Sequence, residues 1–340
     1  MIVAIEKQDS ASLEQVRTAL IDWGVKEIRT CRIGPGDVLI ADGASEELAD
    51  RARSLPGVTR VVFPLRGTPL AERQNFPADT VVEVQSAAIG SRQFTVMAGP
   101  CAVENRQQLR DSATAARAGG ATVLRGGAFK PRTSPHSFQG TQWDGIKLLA
   151  DAGQAVGLPV VSEVVDPRDV QQMAEYVDML QIGARNAQNY PLLAEAGRTK
   201  VPVLLKRGFG CSVEEWLGAA EYILEQGNGA VVMCERGIRT FEPVTRFTLD
   251  LAAIPVIKQR SHLPVIVDPS HGTGSRELVT PMALAAAAAG ADGVLIDVHT
   301  EASSAKCDAD QALSAVDFHG LMARLRLILP GLGRSCPARK

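Results

Sequence analysis

Aromatic residues make up only 4% of the 340-residue chain, so the stacked rings on which single-stranded nucleic acids lie are not there in number. A net charge of −2 argues against nucleic acid or an anionic membrane as the main partner. No apolar run reaches membrane-spanning length, and Met1–Ile5 is too short for the apolar core of a secretion signal. The six cysteines (Cys31, Cys101, Cys211, Cys234, Cys307, Cys336) contain no CxxC and no disulfide-framework spacing, which places the expected home in the cytoplasm with reduced thiols. What remains is ordinary: 45% hydrophobic and 22% charged residues, enough for a large core and a small accessory domain.

Residues 1–64 carry a self-contained pattern: apolar β-rich runs at Met1–Ile5, Lys26–Arg32, Asp37–Ala41 and Val58–Pro64, and helical spacing over Ser12–Trp23 and Ser45–Ser54. The order βαββαβ predicts a small ferredoxin-like (ACT-like) domain, either a regulatory sensor or a pairing surface. Residues 65–79 are polar, hold Pro69 and Pro77, and read as a linker. Thr80–Val84 and Gln93–Met97, flanking Gly90-Ser91, read as a short hairpin opening the main domain over 80–330.

From Phe94 onward eight short apolar runs alternate with stretches of crossover length: Phe94–Ala98, Thr122–Leu124, Pro159–Val161, Met179–Ile182, Val203–Leu205, Ala230–Met233, Val265–Val267 and Gly293–Ile296. Continuous apolar strands covered by helices form parallel sheets, and eight such units predict a (β/α)8 TIM barrel in the α/β class. An open doubly wound sheet is the alternative. It calls for a glycine-rich dinucleotide fingerprint after the first strand, and none is present.

In such barrels the chemistry sits where the strands end. Those ends deliver Cys101, Arg125 with Lys130, Glu163, Arg185, Lys206 with Arg207, Glu235 with Arg236, Asp268 with His271, and Asp297 with His299. Arg125, Lys130, Arg132, Arg185, Lys206 and Arg236 bring more positive charge to one rim than a single phosphate needs. The surplus points to substrates bearing several phosphate and carboxylate groups, unless Glu163, Glu235 and Asp268 neutralise it. Leu124–Pro135 concentrates three of these cations around Gly126-Gly127, between residues stiffened by Pro131 and Pro135. Cys101, His271, Asp297 and Asp308 form a second set, a mixed S/N/O shell suited to Mn, Fe, Co or Zn rather than Mg or Ca. On residue type alone, a lone strand-end cysteine is more often a small core residue, and a lone histidine usually just makes a hydrogen bond.

The strings Ala98-Gly99-Pro100-Cys101, Leu124–Pro135, Gln181-Ile182-Gly183-Ala184-Arg185-Asn186, Leu205-Lys206-Arg207-Gly208, Cys234-Glu235-Arg236-Gly237 and Asp268-Pro269-Ser270-His271 occur in one order. Together they resemble 3-deoxy-D-arabino-heptulosonate-7-phosphate (DAHP) synthase, above all its type I-beta group, over residues 75–325 and more loosely over 1–64. The resemblance implies condensation of phosphoenolpyruvate with erythrose 4-phosphate, a divalent metal, feedback by an aromatic amino acid and a homo-tetramer. It puts the metal on Cys101, His271, Asp297 and Asp308, and phosphoenolpyruvate on Arg125, Lys130, Arg185, Lys206 and Arg236. Erythrose 4-phosphate falls to Lys130-Pro131-Arg132-Thr133, with Asp268 near the sugar hydroxyls. Lys130, Arg125 and Asp268 are the implied catalytic groups, with Glu163 or Glu235 as further candidates for moving protons through water.

Two departures stand out. The family usually has Glu where this chain has Asp297, shorter by one methylene, or roughly 1.5 Å of reach. Either Asp297 ligates after a local shift, or Glu301 takes its place, or metal preference changes. The N-terminal module has no histidine, and its correspondence to the group is loose. Two rival functions remain: a synthase for another phosphosugar, such as an amino-sugar analogue or arabinose 5-phosphate, and a non-catalytic sensor barrel.

Overall fold

The computed structural model describes residues 1–5 and 10–337. Eight parallel strands close into a barrel: β7 (Thr95–Gly99), β8 (Val123–Arg125), β9 (Val160–Val164), β10 (Met179–Ile182), β11 (Val203–Lys206), β12 (Val231–Glu235), β13 (Val265–Val267) and β14 (Gly293–Asp297). Each coincides with one of the expected apolar runs. Successive side chains of a strand face opposite sides, so each strand serves two cores. Met97, Val123, Val161, Met179, Leu204, Val232, Ile266 and Leu295 fill the barrel. Their neighbours, among them Val96, Leu124, Leu180, Leu205, Met233, Val267 and Ile296, face the surrounding helices.

The helical layer includes α3 (Arg106–Gly119), α4 (Gln142–Val156), α5 (Val170–Ala174), α6 (Tyr190–Arg198), α7 (Val213–Glu225), α8 (Ala253–Arg260), α10 (Arg276–Ala288) and α11 (Ala315–Ile328), with the short α9 (Pro269–Thr273) directly after β13. Local chemistry sets the ends. Asn105 caps α3 through Gln108 N, Gly120 stops it at φ 103°, and Ser212 with Glu215 forms a capping box on α7.

The expected hairpin exists elsewhere. Its strands are β5 (Val82–Val84) and β6 (Ala87–Ile89), and it turns at Gln85, which takes φ 49°. Gln93–Met97 instead leads into β7, with Phe94 and Val96 in the core around the barrel and Met97 in its interior. Val82, Val84, Ala87 and Ile89 join the interior cluster and plug the barrel at the ends where the strands begin.

The N-terminal module consists of β1 (Ile2–Ile5), α1 (Ser10–Asp22), β2 (Ile28–Ile33), β3 (Gly36–Ala41), α2 (Glu46–Arg53) and β4 (Val58–Val62). Its antiparallel sheet has the order β2-β3-β1-β4, the arrangement expected of a βαββαβ module. Val3, Ile5, Leu39 and Ala41 face α1 and α2 in one cluster. Ile2, Cys31, Ile33, Val38 and Ile40 belong instead to the core surrounding the barrel. Arg29 Nε donates to Glu225 O at the end of α7 at 2.8 Å, fastening the two parts. Residues 65–79 form no regular element but are held down. Leu70, Ala71 and Phe76 are buried, and the Leu70 and Ala71 amides donate to Glu221 of α7 at 2.8 and 2.9 Å.

Candidate active site at the barrel mouth

Gly99 ends β7 at φ 154°, and a Cβ there would lie 2.2 Å from Arg125 O. Only glycine admits so close an approach. Across this gap Arg125, last in β8, meets Asp297, last in β14: Arg125 Nη1 lies 3.0 Å from Asp297 Oδ1 and donates to Pro100 O at 2.8 Å. Both side chains are buried, and among the described residues neither Arg125 Nε nor Asp297 Oδ1 has a hydrogen-bond partner. A buried guanidinium N–H without an acceptor costs free energy unless a ligand supplies one. Arg125 also lines a cleft with Gly126, Gly127, Lys130, Ser162, Glu163 and Gln181, and Ser162 Oγ is a second orphan there.

Cys101 Sγ, His271 Nε2 and an Asp308 carboxylate oxygen converge within 4.8 Å of one another. The thiol lies 3.6 Å from His271 Nε2 and 3.0 Å from Asp308 Oδ2, and Nε2 lies 3.8 Å from that oxygen. Tetrahedral bonds of about 2.3 Å to sulfur and about 2.0–2.2 Å to nitrogen and oxygen would separate such donors by roughly 3.4–3.6 Å. The three residues therefore fit a divalent transition ion. His271 Nδ1 faces Asp268 Oδ2 at 2.9 Å, and a carboxylate there keeps a proton on Nδ1 and makes Nε2 the nitrogen available to a metal. Burial would lower the pKa of His271, but Asp268 and Asp297 outweigh it and raise it to about 9. Burial would raise that of Asp308, but His271, the Cys101 thiol and Arg246 hold it far below the usual carboxylate range. Its hydrogen bond with Cys307, and then burial, push the Cys101 thiol up.

Asp297 stands outside this group. Its Oδ2 lies 3.6 Å from His271 Nδ1, the other ring nitrogen, and accepts from Gln311 Nε2 at 2.6 Å. Glu301 is exposed and also lies outside it.

The six anion-directed cations divide. Two have carboxylates: Arg125 with Asp297, and Lys206 with Asp268. The other four, Lys130, Arg132, Arg185 and Arg236, have none within 4 Å among the described residues. Lys130 Nζ donates to Cys101 O at 3.0 Å and meets its sulfur at 3.1 Å, and Arg132 Nη1 meets Cys307 Sγ at 2.7 Å. Burial works against the charge of Lys130, yet the two thiols outweigh it, and the ammonium is held above its ordinary pKa. Arg236 is buried with only carbonyl oxygens as acceptors, Gly237 O at 3.4 Å and His271 O at 3.3 Å. Burial lowers its pKa to about 10. Its charge rests on rings, 4.0 Å from the centroid of Phe247 and 4.8 Å from that of Phe209, which stack 5.0 Å apart. Arg185 is exposed, 5.5 Å from the Phe209 centroid. Pro131 is half-buried and Thr133 exposed, on the same loop as Lys130.

Arg207 and Glu235 play a different part. Arg207 Nη1 bonds Glu235 Oε2 at 3.0 Å and Asp250 Oδ2 at 2.9 Å, and Glu235 Oε1 accepts from the Gly237 amide at 2.6 Å. With its lone pairs so engaged, Glu235 braces the β12 turn. Glu163 is the freer carboxylate, accepting from Gln181 at 3.3 Å in the cleft. Sequence reasoning missed Phe209, Phe247, Arg246, Gln311 and Cys307. Only Cys307 carried a local signal, its place beside Asp308.

The chain is similar to several known proteins. A family model described as DAHP synthetase I family matches residues 77–326. A Thermotoga maritima phospho-2-dehydro-3-deoxyheptonate aldolase is 47% identical over 286 residues, 84% of this chain and 85% of its own. A Geobacter metallireducens 2-dehydro-3-deoxyphosphooctonate aldolase is 30% identical over 262 residues, 70% of this chain and 93% of its own. The crystal structure of a Thermotoga maritima DAHP synthase superposes with a TM-score of 0.78 at 42% identity, covering 98% of both chains. A truncated form of the synthase from that organism gives 0.74 at 43% identity, covering 80% of this chain and all of its own. A family match over most of the barrel and a relative this similar leave one assignment: the chain belongs to the DAHP synthetase I family.

Proposed function

We propose that this chain is a metal-dependent DAHP synthase, joining C3 of phosphoenolpyruvate to the aldehyde carbon of erythrose 4-phosphate with release of phosphate, at the entry to aromatic amino-acid synthesis. The observation that carries the reading is Arg236, a buried guanidinium with no carboxylate within 4 Å among the described residues, beside a Cys/His/Asp group fit for a transition ion. Arg125, Lys130, Arg185, Lys206 and Arg236 bind phosphoenolpyruvate. Lys130-Pro131-Arg132-Thr133 takes the sugar phosphate, with Asp268 toward its hydroxyls.

Cys101, His271 and Asp308 would hold Mn, Fe, Co or Zn, which when bound supplies Lewis acidity toward the aldehyde oxygen. The chain's own groups do the rest. Cations fixed by Asp268, Pro100 O and the phenylalanine rings hold two anions together that would otherwise repel, which lowers the barrier by positioning and by stabilising developing charge. Lys130 keeps its proton at Nζ and so acts as a donor rather than a base. Asp268 fixes the His271 ring through Nδ1. The N-terminal module is the proposed seat of an aromatic amino-acid effector, and the working form a cytoplasmic homo-tetramer. Among the described residues no helix is long and apolar enough to cross a membrane.

The test is phosphate release from phosphoenolpyruvate in chelated and metal-restored protein, with erythrose 4-phosphate against arabinose 5-phosphate. Restoration by Mn²⁺ or Co²⁺ with erythrose 4-phosphate preferred supports the reading. Equal or better use of arabinose 5-phosphate would transfer it to the octulosonate reaction, and no consumption with either aldehyde would favour a sensor barrel.

A further inference from the structure

Asp297 ends β14 with both carboxylate oxygens turned toward nitrogens. Oδ1 lies 3.0 Å from Arg125 Nη1, and Oδ2 accepts from Gln311 Nε2 at 2.6 Å. Gln311 is buried, and the other end of its amide, Oε1, accepts from Arg246 Nη1 at 2.8 Å. The same Nη1 reaches Asp308 Oδ1 at 3.0 Å. One continuous chain of polar contacts thus runs Arg125–Asp297–Gln311–Arg246–Asp308, from the anion side of the mouth to the Cys/His/Asp group. Arg276 braces it from outside, donating to Ala312 O at 2.9 Å and Ala309 O at 3.2 Å on either side of Gln311.

The direction of Asp297 matters as much as its partners. Its nearest approach to His271 is to Nδ1, whereas Cys101 and Asp308 converge on Nε2. Neither of its oxygens is among the donor atoms of Cys101, His271 and Asp308 that lie within 4.8 Å of one another. Arg125 in turn needs a fixed partner. Its Nε has no hydrogen-bond partner among the described residues, and apart from Asp297 the guanidinium is held by Pro100 O and the Cys101 thiol.

We propose that Gln311 and Asp297 are positioning residues that aim Arg125 at the anionic substrate, and that Asp297 serves this clamp rather than ligating the metal. The inference rests on the synthase reading for the identity of the anion, but its measurements are of binding and do not depend on turnover. Positioning groups of this kind are commonly worth about 10–100-fold.

The experiment compares Gln311→Met, Gln311→Glu, Asp297→Asn and Asp308→Asn, each checked for folding by circular dichroism. Co²⁺ affinity and the Co²⁺ absorption spectrum are read first, then phosphoenolpyruvate affinity by calorimetry on Co²⁺-loaded protein. Gln311→Glu keeps an acceptor for Arg246 but sets a second carboxylate against Asp297 where the donor stood, whereas Gln311→Met removes the bond without adding charge. Both Gln311 variants and Asp297→Asn should bind phosphoenolpyruvate about tenfold more weakly or worse, with Co²⁺ affinity within about threefold of the parent and an unchanged spectrum. Asp308→Asn should lose Co²⁺ by about 100-fold or more. Loss of Co²⁺ in Asp297→Asn as deep as in Asp308→Asn would make Asp297 a ligand and overturn the proposal. Unchanged phosphoenolpyruvate affinity in both Gln311 variants would reduce Gln311 to packing and overturn it equally. A parent protein that binds Co²⁺ but consumes no phosphoenolpyruvate with any aldehyde would instead remove the synthase reading.

Discussion

The two ends of the barrel are built on opposite principles. Where the strands begin, Val82, Val84, Ala87 and Ile89 of the hairpin close the interior with hydrocarbon. Where they finish, Arg125, Lys206, Arg207, Glu235, Arg236, Asp268 and Asp297 are all buried. Burying apolar surface stabilises by roughly 25 cal/mol per Å², whereas each buried charge is costly until paired. One end holds the fold together, and the other spends part of that stability on a receptor. Even within the charged end the pairing is uneven. Arg207 is matched by two carboxylates, and Arg236 by none within 4 Å among the described residues.

The contrast breaks first if the charged end proves structural. Replacing Cys101 by Ser should cut turnover by about 10³-fold or more and strip the metal while the circular dichroism spectrum stays native. Near-normal turnover would reduce Cys101 to a packing thiol. A smaller loss, about 10²-fold in kcat/KM, is expected for Arg236→Leu. Because Arg236 is a buried charge on phenylalanine rings, the same variant should melt no lower than the parent when no anion is present. A sharp drop in Tm would mean that the guanidinium is a structural brace like Arg207.

Acidity sharpens the comparison further. The folded pKa of His271, about 9, is above its ordinary 6.5. Its contribution to the stability of metal-free protein is therefore full below pH 6.5 and is lost as pH rises through about 9. Metal binding has the opposite slope, since His271 Nε2 and the raised Cys101 thiol must both give up protons. Between pH 6.5 and about 9 the metal-free Tm should fall by several degrees with rising pH while Co²⁺ affinity climbs. Calorimetry in buffers of different ionisation enthalpy should count about two protons released near neutrality. Parallel slopes would refute the assignment. Catalytically the smallest effect belongs to the sealed end. Ile89→Ala should destabilise by about 2–4 kcal/mol in denaturant titration, with kcat within about twofold.

Much of this was legible beforehand because it is local. The eight apolar runs became eight strands, and the stretches between them carry the helical layer. Cys101, His271 and Asp308, far apart in the chain, meet because strand ends meet in a closed barrel. What stayed hidden depends on contacts between distant segments. No local pattern distinguishes Arg207, which finds Glu235 and Asp250, from Arg236, which finds rings. Gln311 looked like any polar loop residue, and its bond to Asp297 exists only once β14 and the following loop pack. The hairpin was misplaced because Gly90-Ser91 resembled a turn, whereas Gln85 makes it in a conformation that non-glycine residues rarely adopt.

The unmatched charge of Arg236 reaches beyond catalysis. An anion that seats against it should raise the unfolding free energy as well as react, by about 2.7 kcal/mol at one hundred times its Kd. Thermal denaturation thereby becomes a gauge of cargo, able to rank phosphorylated metabolites without a single turnover.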